Sequence, residues 1–196
     1  MLKSRNQFVF LLLSILLSSG GCGKSYTPRP RGYFRIAFPS KSYKPLGISL
    51  PYRFEIPVYS VVGKDSFNLE EPNWITIEIP DNHAQIHLSY KEINNNLGIL
   101  IEQSRNLVFE HTQKASAIDE QIFVMPSKKV YGTAYTIKGN AASPMQFYLT
   151  DSIKHFLRGS LYIKEIPNID SLQPVITFLS KDVLWIIETT EWKSNK

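Results

Sequence analysis

The strongest constraint on the fold is a two-residue alternation of apolar and polar side chains that begins at Trp74. Isoleucine occupies every second position over 75–79, and Pro-Asp-Asn at 80–82 separates this run from a second alternating run at 84–90. Such alternation is typical of strands that bury one face, so the segment predicts an antiparallel hairpin. The predicted register has three cross-strand pairs: Ile79 with Ala84, Thr76 with His87, and Glu78 with Gln85.

Helical spacing follows, and strand patterns then return. Apolar residues three and four apart predict an amphipathic helix over 92–114. Further strands are predicted at four places: 121–125, 129–138, 145–150 and 155–164. Residues 33–38 and 53–62 also have strand composition, but their prolines confine them to edges or ends.

A last helix is predicted after residue 169, capped by Asp170 or Ser171, with Pro174 tolerated in its first turn. Consecutive strands flanked by helices predict an α+β fold: a mainly antiparallel sheet with two long amphipathic helices packed on it. The element order resembles the Mog1/PsbP-like fold.

The first 21 residues have the pattern of a signal peptide. Lys3 and Arg5 precede an apolar run at 8–17, which is shorter than the roughly 20 residues that a membrane-spanning helix needs. Small residues then lead to Cys22, the single cysteine of the chain, which excludes an intramolecular disulfide and a cysteine-rich metal site. This pattern resembles a lipoprotein lipobox, with Ser19 where a larger aliphatic residue is commoner. We therefore expect cleavage before Cys22, diacylglycerol on its thiol and an acyl chain such as palmitate on its amine.

Residues 22–50 predict a basic, proline-rich tether, and residues 51–196 a single α+β domain. The formal net charge is +5, and residues 24–53 hold seven basic residues and no acidic one. Arg29, Arg31 and Arg35 are candidate contacts for anionic lipid headgroups or for an acidic partner protein. A solvated arm that only spaces the domain from the bilayer is the alternative. Nucleic acid is not an expected partner of an exported chain.

Few residues have the spacing of a catalytic or metal site. His83 and His87 are predicted on one strand face near Glu78, but two histidines and one acid without a closing ligand make a weak zinc pattern. Ser152 and His155, with Asp151, could form a hydrolase triad, although no nucleophile elbow surrounds the serine. We expect no metal and no cofactor.

One predicted strand carries side chains that are common in protein interfaces. Phe156, Arg158 and Tyr162 share a face of the strand at 155–164, and aromatic residues with arginine are typical anchors of partner contacts. The alternative is a sheet face covered by a helix, with Arg158 reaching past it to solvent.

Several longer motifs resemble one family. They are Tyr26-Thr27-Pro28-Arg29-Pro30-Arg31-Gly32-Tyr33-Phe34-Arg35, His87-Leu88-Ser89-Tyr90-Lys91, Lys129-Val130-Tyr131-Gly132, Gly139-Asn140-Ala141-Ala142-Ser143, Leu149-Thr150-Asp151-Ser152 and His155-Phe156-Leu157-Arg158-Gly159. Together they resemble the gliding-motility lipoprotein family GldD of Bacteroidota, over about residues 26–193. The resemblance implies an envelope lipoprotein required for gliding and for type IX protein secretion, and it implies no catalytic activity.

The expected function is therefore that of a non-enzymatic docking or assembly component, held on the membrane by its lipid and bound to other gliding and secretion proteins. A ligand-binding module that uses the aromatic sheet face is one alternative, and an envelope hydrolase that uses Ser152 and His155 is another. No acidic tract follows Cys22, which favours the periplasmic side; the sequence does not distinguish the inner from the outer membrane.

Overall fold

The computed structural model describes residues 36–64, 71–166 and 168–193. The predicted signal peptide, the lipidation site Cys22 and the contact candidates Arg29, Arg31 and Arg35 lie outside these residues.

A seven-stranded antiparallel sheet organises the described chain, in the order β4-β5-β6-β10-β9-β8-β7. Its strands are β4 (Val61–Lys64), β5 (Ile75–Ile79), β6 (Ala84–Glu92), β7 (Ala115–Met125), β8 (Val130–Gly139), β9 (Met145–Thr150) and β10 (His155–Ile163). The hairpin of β5 and β6 has the predicted register, with Thr76 opposite His87 and Glu78 opposite Gln85. The long central strands therefore follow from the alternation in the sequence.

Two helices pack on opposite sides of this sheet. Helix α1 (Leu97–Phe109) is shorter than the predicted 92–114, because β6 continues to Glu92 and a 3-10 turn, Glu110–Gln113, ends the segment. Helix α2 (Ile169–Thr189) begins earlier than predicted, since its N-cap position is Asn168, two or three residues before Asp170 and Ser171, and neither of these gives it a side-chain cap. Instead, Asn140 Oδ1 accepts a hydrogen bond from the Ile169 amide at 2.9 Å. The α+β class, with its antiparallel sheet and two helices, is confirmed.

The main core lies between the sheet and α2. The α2 residues Val175, Leu179, Val183, Ile186 and Ile187 pack against one face of the sheet. That face is almost wholly apolar and contributes Ile75, Ile77, Ile79, Ile86, Leu88, Phe147, Leu149, Leu157 and Leu161. Burial of this apolar surface is the main source of stability in a domain of this size.

Residues 36–60, here called the N-terminal strap, complete the same core. The strap contains β1 (Tyr43–Pro45), β2 (Tyr52–Arg53) and β3 (Glu55–Pro57), and β1 pairs with β3. Strand β2 pairs with β11 (Glu191–Trp192), which follows α2. Leu46, Leu50, Tyr52, Phe54 and Ile56 are all buried in the core. The compact unit begins at Ile36, so residues 36–50, which we expected in the tether, belong to it.

Candidate functional site: the Arg158 face of the sheet

The sheet face that carries Arg158 is the one beneath α1, and its centre is polar. We call this set of residues the Arg158 face: Thr76, His87, Gln146, Arg158, Ser160 and Tyr162. Ser160 lies directly opposite both Gln146 and His87 in the strand register, so the six side chains form a continuous patch over β5, β6, β10 and β9. Helix α1 buries little of its own surface on this side of the sheet, since only Leu100, Ser104 and Val108 of α1 are buried.

Phe156 shares the face, as predicted, but it is not available to a partner. It is 3% exposed and stacks on Tyr148 with ring centroids 5.6 Å apart. Tyr162 is half-buried and meets the His87 ring edge-on at 5.5 Å. Phe156 is therefore covered in the described structure, and the partner contact expected of it stays a prediction.

Arg158 is half-buried among neutral partners. Its Nη2 donates to Gln146 Oε1 at 2.7 Å. Among the described residues no carboxylate oxygen lies within 4.0 Å of its guanidinium. Burial lowers the pKa of Arg158, and Tyr162 and Glu110 act in the opposite direction. Burial removes part of the hydration of this cation, and no ion pair with a nearby carboxylate compensates for that loss of solvation free energy.

Two buried polar atoms of this face have no hydrogen-bond partner. They are Gln146 Nε2 and Ser160 Oγ, each with less than 1 Å² of exposed surface. An unpaired buried donor costs about 1–3 kcal/mol. These two unpaired groups therefore lower the free energy of unfolding of the described structure at the Arg158 face.

The Ser152 and His155 region does not assemble a triad. Asp151 Oδ1 accepts three backbone N–H bonds, from residues 153, 154 and 155, at 2.8–3.0 Å. The His155 ring, 7% exposed, lies with Nδ1 2.7 Å from the Tyr90 hydroxyl and stacks on Trp192 at 5.1 Å. The Asp151 side chain thus stabilises the turn, and the His155 ring covers the end of the core.

The pKa directions agree with this structural role. Burial lowers the pKa of His155, against the charge of Asp151. Burial alone would raise the pKa of Asp151, but its backbone donors outweigh it and the pKa is lowered. A base that titrates below its usual range and faces a tyrosine is poorly placed to activate Ser152.

The two histidines of the weak zinc pattern, His83 and His87, each contact a different partner in the structure. His83 lies in the turn before β6 and pairs with Glu165 at 2.7 Å, whereas Glu78 pairs with Lys164 at 3.0 Å. His87 Nδ1 lies 3.1 Å from Thr76 Oγ1. In the described parts of the chain no three histidine, cysteine or acidic side chains group as metal ligands.

The family model for "Gliding motility lipoprotein GldD" matches residues 23–192. The chain belongs to this family. No curated protein matches it at a significant level. Among solved structures, it is similar to the solution structure of cyanobacterial PsbP (CyanoP) from Synechocystis sp. PCC 6803, with 8% identity and a TM-score of 0.46, over 89% of this chain and 98% of that chain.

Glycines in three of the motifs that resemble the family have structural roles in this chain. A Cβ at Gly132 would lie 1.9 Å from the Tyr148 carbonyl oxygen, and one at Gly159 would lie 2.2 Å from the Phe147 ring. Gly139 has φ +105°, a value that favours glycine, and Asn140 next to it caps α2. Glycine at 132 and 159 is thus required by close packing, and glycine at 139 by the backbone conformation.

Sequence reasoning missed the most strongly partnered polar cluster. Asp182 of α2 is fully buried and binds three side chains of the N-terminal strap. Lys41 Nζ lies 2.7 Å from it, and the hydroxyls of Tyr43 and Tyr59 donate to it at 3.1 and 2.6 Å. Burial lowers the pKa of Lys41 and raises that of Tyr43 to about 12, with the charge of Asp182 as the second cause for Tyr43. The available signal was an acidic residue within the apolar stripe of a helix.

Two surface grooves flank the domain. One, of about 440 Å³, lies between the strap and the C-terminal end of α2 and includes Arg53, Glu55, Lys128 and Glu191. The Arg53 guanidinium is ion-paired with Glu191 across it. The other, of about 580 Å³, lies beside the start of α1.

Within the described ranges no helix is long and apolar enough to cross a bilayer.

Proposed function

We propose that this chain is an envelope lipoprotein, acylated at Cys22, that acts as a non-enzymatic docking or assembly component of the gliding apparatus and of type IX secretion. The observation that carries the proposal is the span of the family match. It begins at residue 23, directly after Cys22, and continues to residue 192. The part shared with the family is therefore the part that would remain after cleavage.

The described side chains support docking over catalysis. Asp151, His155 and His87, which were the candidates for chemistry, each have a structural partner. Because Phe156 is buried, the sheet face also lacks the exposed aromatic platform that the ligand-binding alternative requires. The proposed location is the periplasmic side of the envelope, and the proposed partners are other gliding and secretion proteins.

The anchor is tested by membrane fractionation with a radiolabelled or clickable fatty acid. Cys22→Ala should abolish acyl labelling and release the protein from the membrane, because several acyl chains give an anchor that one weak contact cannot replace. Ser25→Ala is the matched control and should retain both. Unchanged labelling in Cys22→Ala would refute the anchor.

Docking is tested by in-cell cross-linking, with gliding and secretion of a type IX substrate as readouts. The anchored wild type should capture defined motility proteins, and loss of the protein should stop both readouts. Ser152→Gly, which suits the φ of +68° at that position, should glide and secrete normally and so exclude the hydrolase. Recovery of no motility protein at normal expression would contradict the docking role.

The tether arginines are tested with vesicles that contain anionic lipid. Changing Arg29, Arg31 and Arg35 together to Gln should weaken vesicle binding of the lipidated protein, by about 1 kcal/mol for each charge near the surface. The triple Lys variant keeps the charge and should bind normally. Equal binding of the Gln and Lys variants would show that the arm is only a spacer.

A further inference from the structure

Strand β7 is a long edge strand whose outer backbone groups have no strand partner among the described residues. It has 11 residues, lies at the end of the sheet and pairs only with β8 among the described strands. It contains no lysine, arginine or proline; its charged residues are Asp119 and Glu120, and its bulge lies between Ala115 and Ala117, so the part after residue 117 is a regular strand. The opposite edge, β4, has four residues and ends with Gly63 and Lys64.

Helix α1 covers only the first half of β7, where Ile118 packs against the cluster that contains Val108 and Arg105 lies 3.9 Å from Glu120. In β7 Phe123 is the single buried residue, whereas Ile122 and Val124 are 74% and 64% exposed. The second half of the strand therefore leaves two β-branched side chains in solvent, and such an apolar edge is expected to be buried against another strand.

The hydrogen bonds of β8 show which backbone groups of β7 point outwards. The Ile137 amide donates to the Pro144 carbonyl at 2.9 Å, so the backbone of Ile137 faces β9. Because direction alternates along a strand, Thr136 and every second residue before it face β7. Their partners on β7, which are 119, 121, 123 and 125, face back towards β8. The residues with outward N–H and C=O groups are therefore Ile118, Glu120, Ile122 and Val124.

We propose that β7 pairs antiparallel with β7 of a second copy of this chain, joining the two sheets about a two-fold axis at Gln121. In this register Ile118 faces Val124 of the second copy, and Glu120 faces Ile122 of the second copy. All four outward residues of each strand are paired. Asp119 faces Phe123, so no acidic side chain lies directly opposite another.

The neighbouring two-fold registers are less favourable. A shift that centres the axis on Glu120 places the two Glu120 carboxylates opposite each other, and like charges directly opposite destabilise a strand pair. A shift that centres it on Ile122 pairs Ile118 with Pro126, which has no N–H to donate. A second copy in the Gln121 register thus pairs the outward backbone groups of this edge without placing like charges directly opposite each other.

The first test uses cysteine cross-linking of the full lipidated chain in detergent. Gln121→Cys should give a disulfide-linked dimer, because the axis brings the two residues together as a non-hydrogen-bonded pair, with Cα atoms about 4.5 Å apart and within disulfide range. Val61→Cys, at the opposite edge and 60% exposed, is the matched control and should not cross-link. Absence of a cross-link in a folded Gln121→Cys protein would overturn the proposal.

The second test measures dimerisation by analytical ultracentrifugation. Ile122→Glu should weaken the dimer about tenfold or more, because each new carboxylate faces Glu120 of the other copy. Ile122→Lys should keep the dimer, since it faces the same Glu120 with opposite charge, and Val61→Glu should be neutral. A protein that is monomeric at all concentrations, or equal disruption by Glu and Lys at position 122, would overturn the pairing.

Discussion

The two sides of the sheet are built on opposite principles. The side under α2 is apolar, and six residues of that helix are buried in it. The side under α1 has a polar centre, and α1 buries three residues. This contrast indicates that the α2 side supplies most of the stability, whereas the α1 side is held by fewer contacts.

Polar residues differ between the two sides in the same way. Asp182, on the α2 side, accepts from three donors, whereas Gln146 Nε2 and Ser160 Oγ, on the α1 side, have no hydrogen-bond partner. A buried polar group stabilises only when its hydrogen bonds are complete. Substitutions should therefore be costly on the α2 side and tolerated, or even favourable, on the α1 side.

The largest expected effect is at Asp182. Asp182→Asn removes the charge that compensates the partly buried Lys41 ammonium, and we expect a loss of about 3–5 kcal/mol in the free energy of unfolding. Asp119→Asn is the control, because Asp119 pairs with Lys138 on the surface and should cost less than about 1 kcal/mol. Chemical denaturation measures both. Equal effects would show that burial of the pair is unimportant.

The second-largest expected effect is on stability, when one methyl group is added on each side of the sheet by a Gly→Ala substitution. Gly159→Ala should destabilise by about 1–3 kcal/mol, since its Cβ would overlap the Phe147 ring in the tightly packed core. Gly98→Ala, in the first turn of α1, meets no atom within 4 Å and should stabilise by up to about 1 kcal/mol. Thermal unfolding of both variants checks the signs. Destabilisation by Gly98→Ala would contradict the loose packing assigned to α1.

Removal of a hydroxyl should have opposite signs at two serines. Ser160→Ala should be neutral or stabilising by up to about 1 kcal/mol, because it removes an unpaired buried group. Ser60→Ala should cost about 1 kcal/mol, because Ser60 Oγ donates to the Pro57 carbonyl at 2.7 Å. Urea titrations resolve this difference. A clear loss of stability in Ser160→Ala would mean that its hydroxyl has a partner.

The smallest expected effect is on pH dependence. Burial lowers the pKa of both His155, on the α2 side, and His111, beside α1, below the ordinary value of 6.5. Below that pH the unfolded chain binds protons that the folded chain does not, so stability falls as the solution is acidified. His155→Gln and His111→Gln should each flatten the decline in urea midpoint between about pH 7.5 and about pH 5.5. A decline unchanged in both variants would contradict the lowered pKa values.

The parts of the fold that could be predicted are those with a local pattern. Isoleucines at 75, 77 and 79 determine which face is buried, so the hairpin register followed from alternation alone. The first half of β7 was missed because its exposed side chains do not alternate; the backbone bonds to β8 define it. The start of α1 was misplaced because Asn95 adopts φ +57° and ends the preceding segment.

The rest depends on contacts between distant residues. No local pattern shows that Asn140 caps α2, or that Lys41 approaches Asp182 across 141 positions of sequence. The strap was misjudged for the same reason, since its strands have two or three residues and are too short for any period. The polar character of the Arg158 face was visible in the sequence, but its cover by α1 was not.

The position of the strap determines where a mechanical load would enter the domain. A pull on the chain upstream of residue 36 reaches the core first at Phe38, whose ring stacks on Phe178 at 4.4 Å, and then at Lys41. Both residues contact α2 and precede β1 in the chain. The ring stack and the Lys41–Asp182 pair would therefore have to break before β1 could separate from β3. Under such a load the Phe38–Phe178 stack and the Lys41–Asp182 pair would be the first contacts of the described domain to bear the force.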